Sequence, residues 1–139
     1  MSQQMQKLPL LRFSPILLLV VFLAGCEESE PRNSGLKAPE MPFFEEVDLV
    51  KGRSVWMGTC RNCHLMGVSN APAVTDSVAW NPRINKGRKR LYGSALKGIR
   101  DEAGKYRMPP RGGNPRLSDE QVRLAVDFMI ASVNHFAAR

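Results

Sequence analysis

An all-α fold is what three observations on the 139-residue sequence predict. Residues 118–135 repeat their apolar side chains at helical spacing, and residues 48–60 do so around a glycine. Nowhere does a run alternate apolar and polar residues as a half-buried strand would, and no internal repeat takes its place. The length suits one ordinary domain. With 43% hydrophobic residues, 7% aromatics and three cysteines, the chain fits neither a disulfide-dense scaffold nor a collagen-like or wholly disordered class.

In chain order, the first element is an address. Lys7 and Arg12 precede the unbroken apolar run Ile16-Leu17-Leu18-Leu19-Val20-Val21-Phe22-Leu23-Ala24, which exits through small residues to Cys26. A basic start, a short apolar stretch and a small-residue exit describe a secretory signal peptide, expected over residues 1–25. Nine residues rise only about 14 Å as a helix, short of the roughly 30 Å hydrocarbon core, so this is a poor permanent span. Leu23-Ala24-Gly25-Cys26 resembles the bacterial lipobox. The resemblance implies that Cys26 is diacylated and becomes the first mature residue. The alternative is an ordinary signal cut nearby, leaving Cys26 as an unpaired thiol, a liability in an oxidising compartment. Two acyl chains anchor stably where one does so marginally. Residues 26–44 then read as an acidic, flexible tether containing Pro31, Pro39 and Pro42. The expected location is the periplasmic face of a bacterial envelope, with the protein lipid-anchored. Glu27, where the lipoprotein family uses aspartate for inner-membrane retention, points to the outer membrane.

Residues 45–139 are the expected folded domain. A first helix is predicted from about Asp48 to Cys60, with Asp48 as cap and Leu49, Gly52, Val55, Trp56 and Cys60 toward one side. A glycine inside a helix costs about 1 kcal/mol relative to alanine. That cost makes sense where another helix crosses closely, and Ala125 with Phe128 offers a matching surface. A middle helix is predicted around Lys89–Arg100. The last, about 118–135, opens on a capping box of Ser118 and Gln121, with Leu117 stapled against Val122. Val122, Ala125, Val126, Met129, Ile130 and Val133 then form one apolar face.

Cys60-Arg61-Asn62-Cys63-His64 carries the chemistry. Cys-x-x-Cys-His reads as the attachment site of a c-type haem. Three residues apart on one helical turn, the two sulfurs reach the two vinyl groups on one porphyrin edge and form thioethers. The adjoining histidine falls beneath the iron as the proximal ligand. Three other readings compete. A thioredoxin-like pair needs a βαβ context that the surrounding sequence lacks. Structural zinc needs four N or S ligands, and only Cys26 and His135 remain beyond the motif. A plain Cys60–Cys63 disulfide leaves His64 unexplained.

One face of the iron then remains open. Met108-Pro109-Pro110 lies 44 residues after His64 and offers a soft thioether, which paired with histidine stabilises Fe(II). The two prolines stiffen an extended loop that can hold the sulfur at a set depth. Met66 is too near His64 to cross the ring, and Met129 falls on the buried stripe of the last helix. His135 is the remaining alternative ligand, though a lone terminal histidine is more often exposed.

From about Val47 onward the chain resembles small monohaem class I cytochromes c, most closely the c-five group. The resemblance rests on Cys60-Arg61-Asn62-Cys63-His64, Ala71-Pro72, Ala79-Trp80-Asn81-Pro82-Arg83, Met108-Pro109-Pro110-Arg111-Gly112-Gly113-Asn114-Pro115, Leu117-Ser118-Asp119-Glu120 and Ala125-Val126-Asp127-Phe128-Met129. It implies a class I cytochrome c fold, with three or more helices wrapped around one covalently attached haem c and the first and last helices crossing. It implies that the Pro72 carbonyl receives the proximal ring N–H, and that Arg83 either pairs with a haem propionate or stays a solvated surface charge. Two departures stand out: the second cysteine pair of many relatives is absent, and Asp101–Arg107 before Met108 looks longer than usual.

With both axial positions filled, the expected function is one-electron transfer at the haem edge through weak, transient docking, not catalysis. The alternatives are an electron-entry subunit of a larger membrane redox complex, or a haem sensor or peroxidase if Met108 does not ligate; no obvious distal acid–base pair supports the last. The net charge of +7 is an average. Residues 49–139 hold sixteen bases against six acids, a net of +10. Arg83, Lys86, Arg88, Lys89, Arg90, Lys97, Arg100, Lys105, Arg107 and Arg111 would steer the domain to redox donors and acceptors with acidic docking surfaces. A nucleic-acid partner is not expected for an exported chain.

Overall fold

A computed structural model describes residues 37–139. The predicted signal peptide, Cys26 and the tether up to residue 36 lie outside the described residues. Helix α1 (Val47–Val55) runs through a single π turn, Trp56–Cys60, directly into the short α2 (Arg61–His64). A 3₁₀ turn at Val68–Asn70 reverses the chain into α3 (Ser77–Ile84) and α4 (Arg88–Lys97). A small antiparallel hairpin follows, β1 (Ile99–Arg100) paired with β2 (Tyr106–Met108), then a 3₁₀ turn at Pro110–Gly113 and the long α5 (Asp119–Ala137).

The crossing of the first and last helices is set by Gly52. A Cβ there would lie 2.1 Å from the Leu124 carbonyl oxygen and 3.1 Å from the Phe128 Cβ, so only glycine lets the two backbones approach this closely. The predicted crossing is present, but the tightest contact is the Leu124 backbone and not Ala125. Beside it Trp56 and Phe128 are fully buried, with ring centroids 5.7 Å apart.

Helix α5 is the wall between two apolar clusters. One gathers Trp56, Val74, Trp80, Ala125, Phe128, Met129 and Val133; the other gathers Ala95, Val122, Val126 and Ile130. Its start carries both halves of the predicted capping box: Gln121 N–H donates to Ser118 Oγ at 3.1 Å and Ser118 N–H to Gln121 Oε1 at 2.9 Å. Buried Ser132 is satisfied within the helix, its hydroxyl donating to the Phe128 carbonyl at 2.8 Å. On the outer side, Tyr92 Oη donates to the Asp127 carboxylate at 2.7 Å and Arg88 joins the same carboxylate, pinning α4 to α5.

Four expectations change. The first helix starts at Val47 with Glu46 at the cap position, and Asp48 sits within the first turn, paired with Lys51 at 3.7 Å. The end of the predicted tether is not free chain: Pro42 is buried, and Met41 and Phe44 pack on the first cluster, Phe44 edge-on to Phe128 at 5.9 Å. The middle helix stops at Lys97, because Gly98 takes a positive φ of 77°, and the next two residues become strand. Helix α3 has no counterpart among the expected elements, and Pro82 lies inside it. The carbonyl that Pro82 leaves without an N–H partner belongs to Val78, a residue 82% exposed and so within reach of solvent. Asp76 caps this helix through Ala79 N–H at 2.9 Å.

Candidate functional site

The α1–π turn–α2 unit delivers Cys60, Cys63 and His64 on consecutive turns. The π turn ends on Cys60, the first residue of the motif, and such turns recur at functional sites. Cys60 ends half-buried against the first cluster, and Cys63 is exposed.

His64 is buried at 7% exposure, and its Nδ1 lies 2.9 Å from the Pro72 carbonyl oxygen. A carbonyl only accepts, so Nδ1 carries the proton and Nε2 keeps its lone pair for a metal. Burial pushes the ring below its ordinary pKa; the Pro72 bond opposes that shift and the nearby Arg83 charge reinforces it. The neutral form, the one able to ligate a metal, is thereby favoured. The Ala71–Val74 segment is bolted in place around this bond. Val74 N–H donates to the His64 carbonyl at 2.7 Å, and Trp80 Nε1 donates to the Ala73 carbonyl at 2.8 Å while its ring stands 5.6 Å from that of His64.

Met108 closes β2, half-buried and packed on the second cluster. The loop after it is clamped by Arg111. This residue takes a positive φ of 55°, and its guanidinium donates to the Leu117 carbonyl at 2.8 Å and to Asp119 at 2.6 Å. On its other side Gly112 abuts Thr59 of the π turn, where a Cβ would come within 2.8 Å of the threonine methyl. The methionine loop therefore leans on the segment that carries Cys60. Nothing in the sequence marked Arg111 as a clamp; it looked like another surface base.

The donor set decides between metals. Burial raises the Cys60 thiol to about 11, against a lowering backbone hydrogen bond and with a smaller push from Cys63, so without a bound partner it is a neutral thiol. Among the described residues no group of three or more His, Cys, Asp and Glu side chains gathers as a zinc cage would require. Two thiols beside a neutral histidine, with a half-buried thioether on a second apolar cluster, fit one haem c.

Arg83 is exposed, and its guanidinium folds back to the Ala79 carbonyl of its own helix. Met129 is a core side chain packed with Trp56 and Phe128. His135 is half-buried, not simply exposed, lying edge-on to Phe44 and Phe136.

Residues 47–129 match the family described as cytochrome c oxidase, cbb3-type, subunit III. The chain belongs to this family of c-type cytochromes. Cytochrome c-555 of Chlorobaculum thiosulfatiphilum is 39% identical over 83 residues, covering 60% of this chain and 94% of that protein. Cytochrome c5 of Azotobacter vinelandii is 35% identical over 72 residues, covering 50% of this chain and 80% of that protein. A chain in the crystal structure of an electron transfer complex of nitrite reductase with cytochrome c is 35% identical, with a TM-score of 0.52, and aligns over 60% of this chain and 94% of its own length. The fold is that of class I cytochromes c, as predicted, and the family's single covalent haem c is its cofactor. The protein is a haem c electron carrier.

Proposed function

We propose that this chain is a lipid-anchored periplasmic carrier whose haem iron is held between His64 and Met108. The observation that supports it most is the division of labour at His64, whose Nδ1 is committed to Pro72 so that Nε2 is free for iron. Cys60 and Cys63 supply the thioether bonds, and Pro72 keeps the imidazole oriented and more strongly donating. Bound haem supplies reversible one-electron exchange between ferrous and ferric iron. Met108 would hold the iron together with His64, and a histidine–methionine pair would favour the ferrous state. Lys86, Lys89, Arg90, Lys97, Lys105 and Arg107 are exposed and steer the domain toward acidic redox partners. Cys26 holds the protein to the membrane by its acyl chains.

Optical spectra test the ligand pair. Oxidised protein should show a methionine–iron charge-transfer band that Met108→Ala abolishes; an unchanged spectrum defeats the assignment. Cys26→Ser should move the protein from membrane to soluble fractions, and unaltered partitioning refutes the anchor. The description of the matched family favours a second reading, an electron-entry subunit within a larger membrane complex. Gentle solubilisation separates the two. A free carrier migrates alone, and a subunit migrates with stoichiometric partners.

A further inference from the structure

We propose that Gly98, the residue that ends α4, is a positioning residue for Met108: its lack of a side chain sets how deeply the methionine sits against the domain. The inference rests on the ligand assignment proposed above and extends it to a residue outside every recognised motif.

Gly98 does two things at one point. Its N–H closes α4 on the Ser94 carbonyl at 2.9 Å, and its φ of 77° turns the chain out of the helix into β1. At the same point the methionine segment crosses over it. A Cβ at 98 would lie 2.7 Å from the Met108 carbonyl oxygen, 2.8 Å from the Pro110 nitrogen and 2.9 Å from the Pro110 Cδ. Two of these three atoms are backbone and the third belongs to a rigid ring, so none can swing aside as a flexible side chain would. Any added atom must move the Met108–Pro110 backbone itself by several tenths of an ångström.

The register makes Gly98 a fixed reference for that backbone. Ile99 pairs with Met108, so the methionine lies at the base of the hairpin, next to the end of α4. The tip is a separate, exposed unit. There Asp101 accepts from Lys105 N–H at 2.8 Å, and the Arg100 guanidinium lies 3.5 Å from the Tyr106 ring centre. Beyond the methionine, the stiff Pro109-Pro110 pair and the Arg111 clamp hold the chain against rebound. A displacement imposed at Gly98 therefore passes to the Met108 sulfur and is not absorbed in the loop.

The test separates contact from backbone strain. Gly87 has a φ of 86° but would present its Cβ to open space, so Gly87→Ala carries the same conformational penalty without the collision. In haem-loaded protein, Gly98→Ala should lose or weaken the methionine–iron band and lower the reduction potential. Added imidazole should replace Met108 with an apparent affinity about tenfold higher than in wild type, the scale of an overpacked contact. Gly87→Ala should match wild type in all three readouts. Asp101→Ala, which loosens only the tip and leaves the fold intact, should match wild type as well. If Gly98→Ala behaves like Gly87→Ala, or if Asp101→Ala shifts the band or the potential, the proposal is overturned. A wild-type protein without the band overturns the ligand assignment itself.

Discussion

At the scale of single residues, the imidazole of His64 connects structure to titration. Its pKa is held below the ordinary value of about 6.5, chiefly by burial and with a contribution from the Arg83 charge. A base whose folded pKa is depressed favours folding above the unfolded value and loses that advantage as pH falls through the folded one. The proposed iron bond needs the same neutral form, so acidification should remove stability and that bond together. Arg83→Gln deletes a positive charge that opposes protonation. Both losses should then occur at higher pH than in wild type, read by acid titration of the haem spectrum and of helical circular dichroism. If Arg83 instead served only as a solvated charge, the two titrations would superimpose. The Pro72 carbonyl and the His64 Nδ1 are both on the surface of the sequence as a family resemblance, but the 2.9 Å bond between them depends on the turn through Gly67, Ser69 and Asn70, all at positive φ. Gly, Ser and Asn are ordinary turn formers, so the composition allows a turn there, but it does not say which residues the turn brings together.

At the scale of elements, the α1–α5 crossing was legible because a glycine in an apolar helical stripe needs a reason. Gly52→Ala would drive a Cβ into the Leu124 carbonyl and should destabilise the domain by about 1–3 kcal/mol or more, measured by denaturant unfolding. Gly58, in the π turn, has open space where a Cβ would go. Gly58→Ala should be neutral or stabilising by up to about 1 kcal/mol. Equal effects at the two positions would remove the crossing as the cause. The last helix was equally readable, since its cap, staple and stripe are all local in sequence. The elements that were missed share one property. Helix α3 holds Pro82 where Val78 is exposed, and the hairpin pairs Met108 with Ile99 across the intervening residues 100–107. Burial and pairing partners decide such cases, and neither is visible in a propensity pattern.

For the molecule as a whole, the two clusters on either side of α5 hold eleven buried apolar side chains among the described residues, with Cys60 packed on one and Met108 on the other. So small a core is marginal for a domain of this length. Haem should therefore supply apolar contact as well as redox chemistry. Cys60→Ala with Cys63→Ala, made without haem, should lose near-ultraviolet dichroism and cooperative unfolding; a cooperative transition like that of the holoprotein would refute this. Charge acts at the same scale. Arg88 and Arg111 are paired with Asp127 and Asp119, so part of the positive charge that the sequence suggested is offset locally. The rest still leave a basic surface, and electron-transfer rates to an acidic partner should fall steeply between low and physiological ionic strength as exposed charges are screened. A flat salt response would remove steering from the account.

The sequence by itself determined the cofactor, its Cys60/Cys63 attachment motif, the long capped helix and the need for a close helix crossing, because each is written in residues adjacent along the chain or on one helical face. Only the tertiary structure decided which nitrogen of His64 is free, that Arg111 is a clamp, that Phe44 belongs to the core, and that Met108 rests on the end of α4. These depend on contacts between segments far apart in sequence. Such contacts arise when burial and backbone sterics act on the whole folded chain.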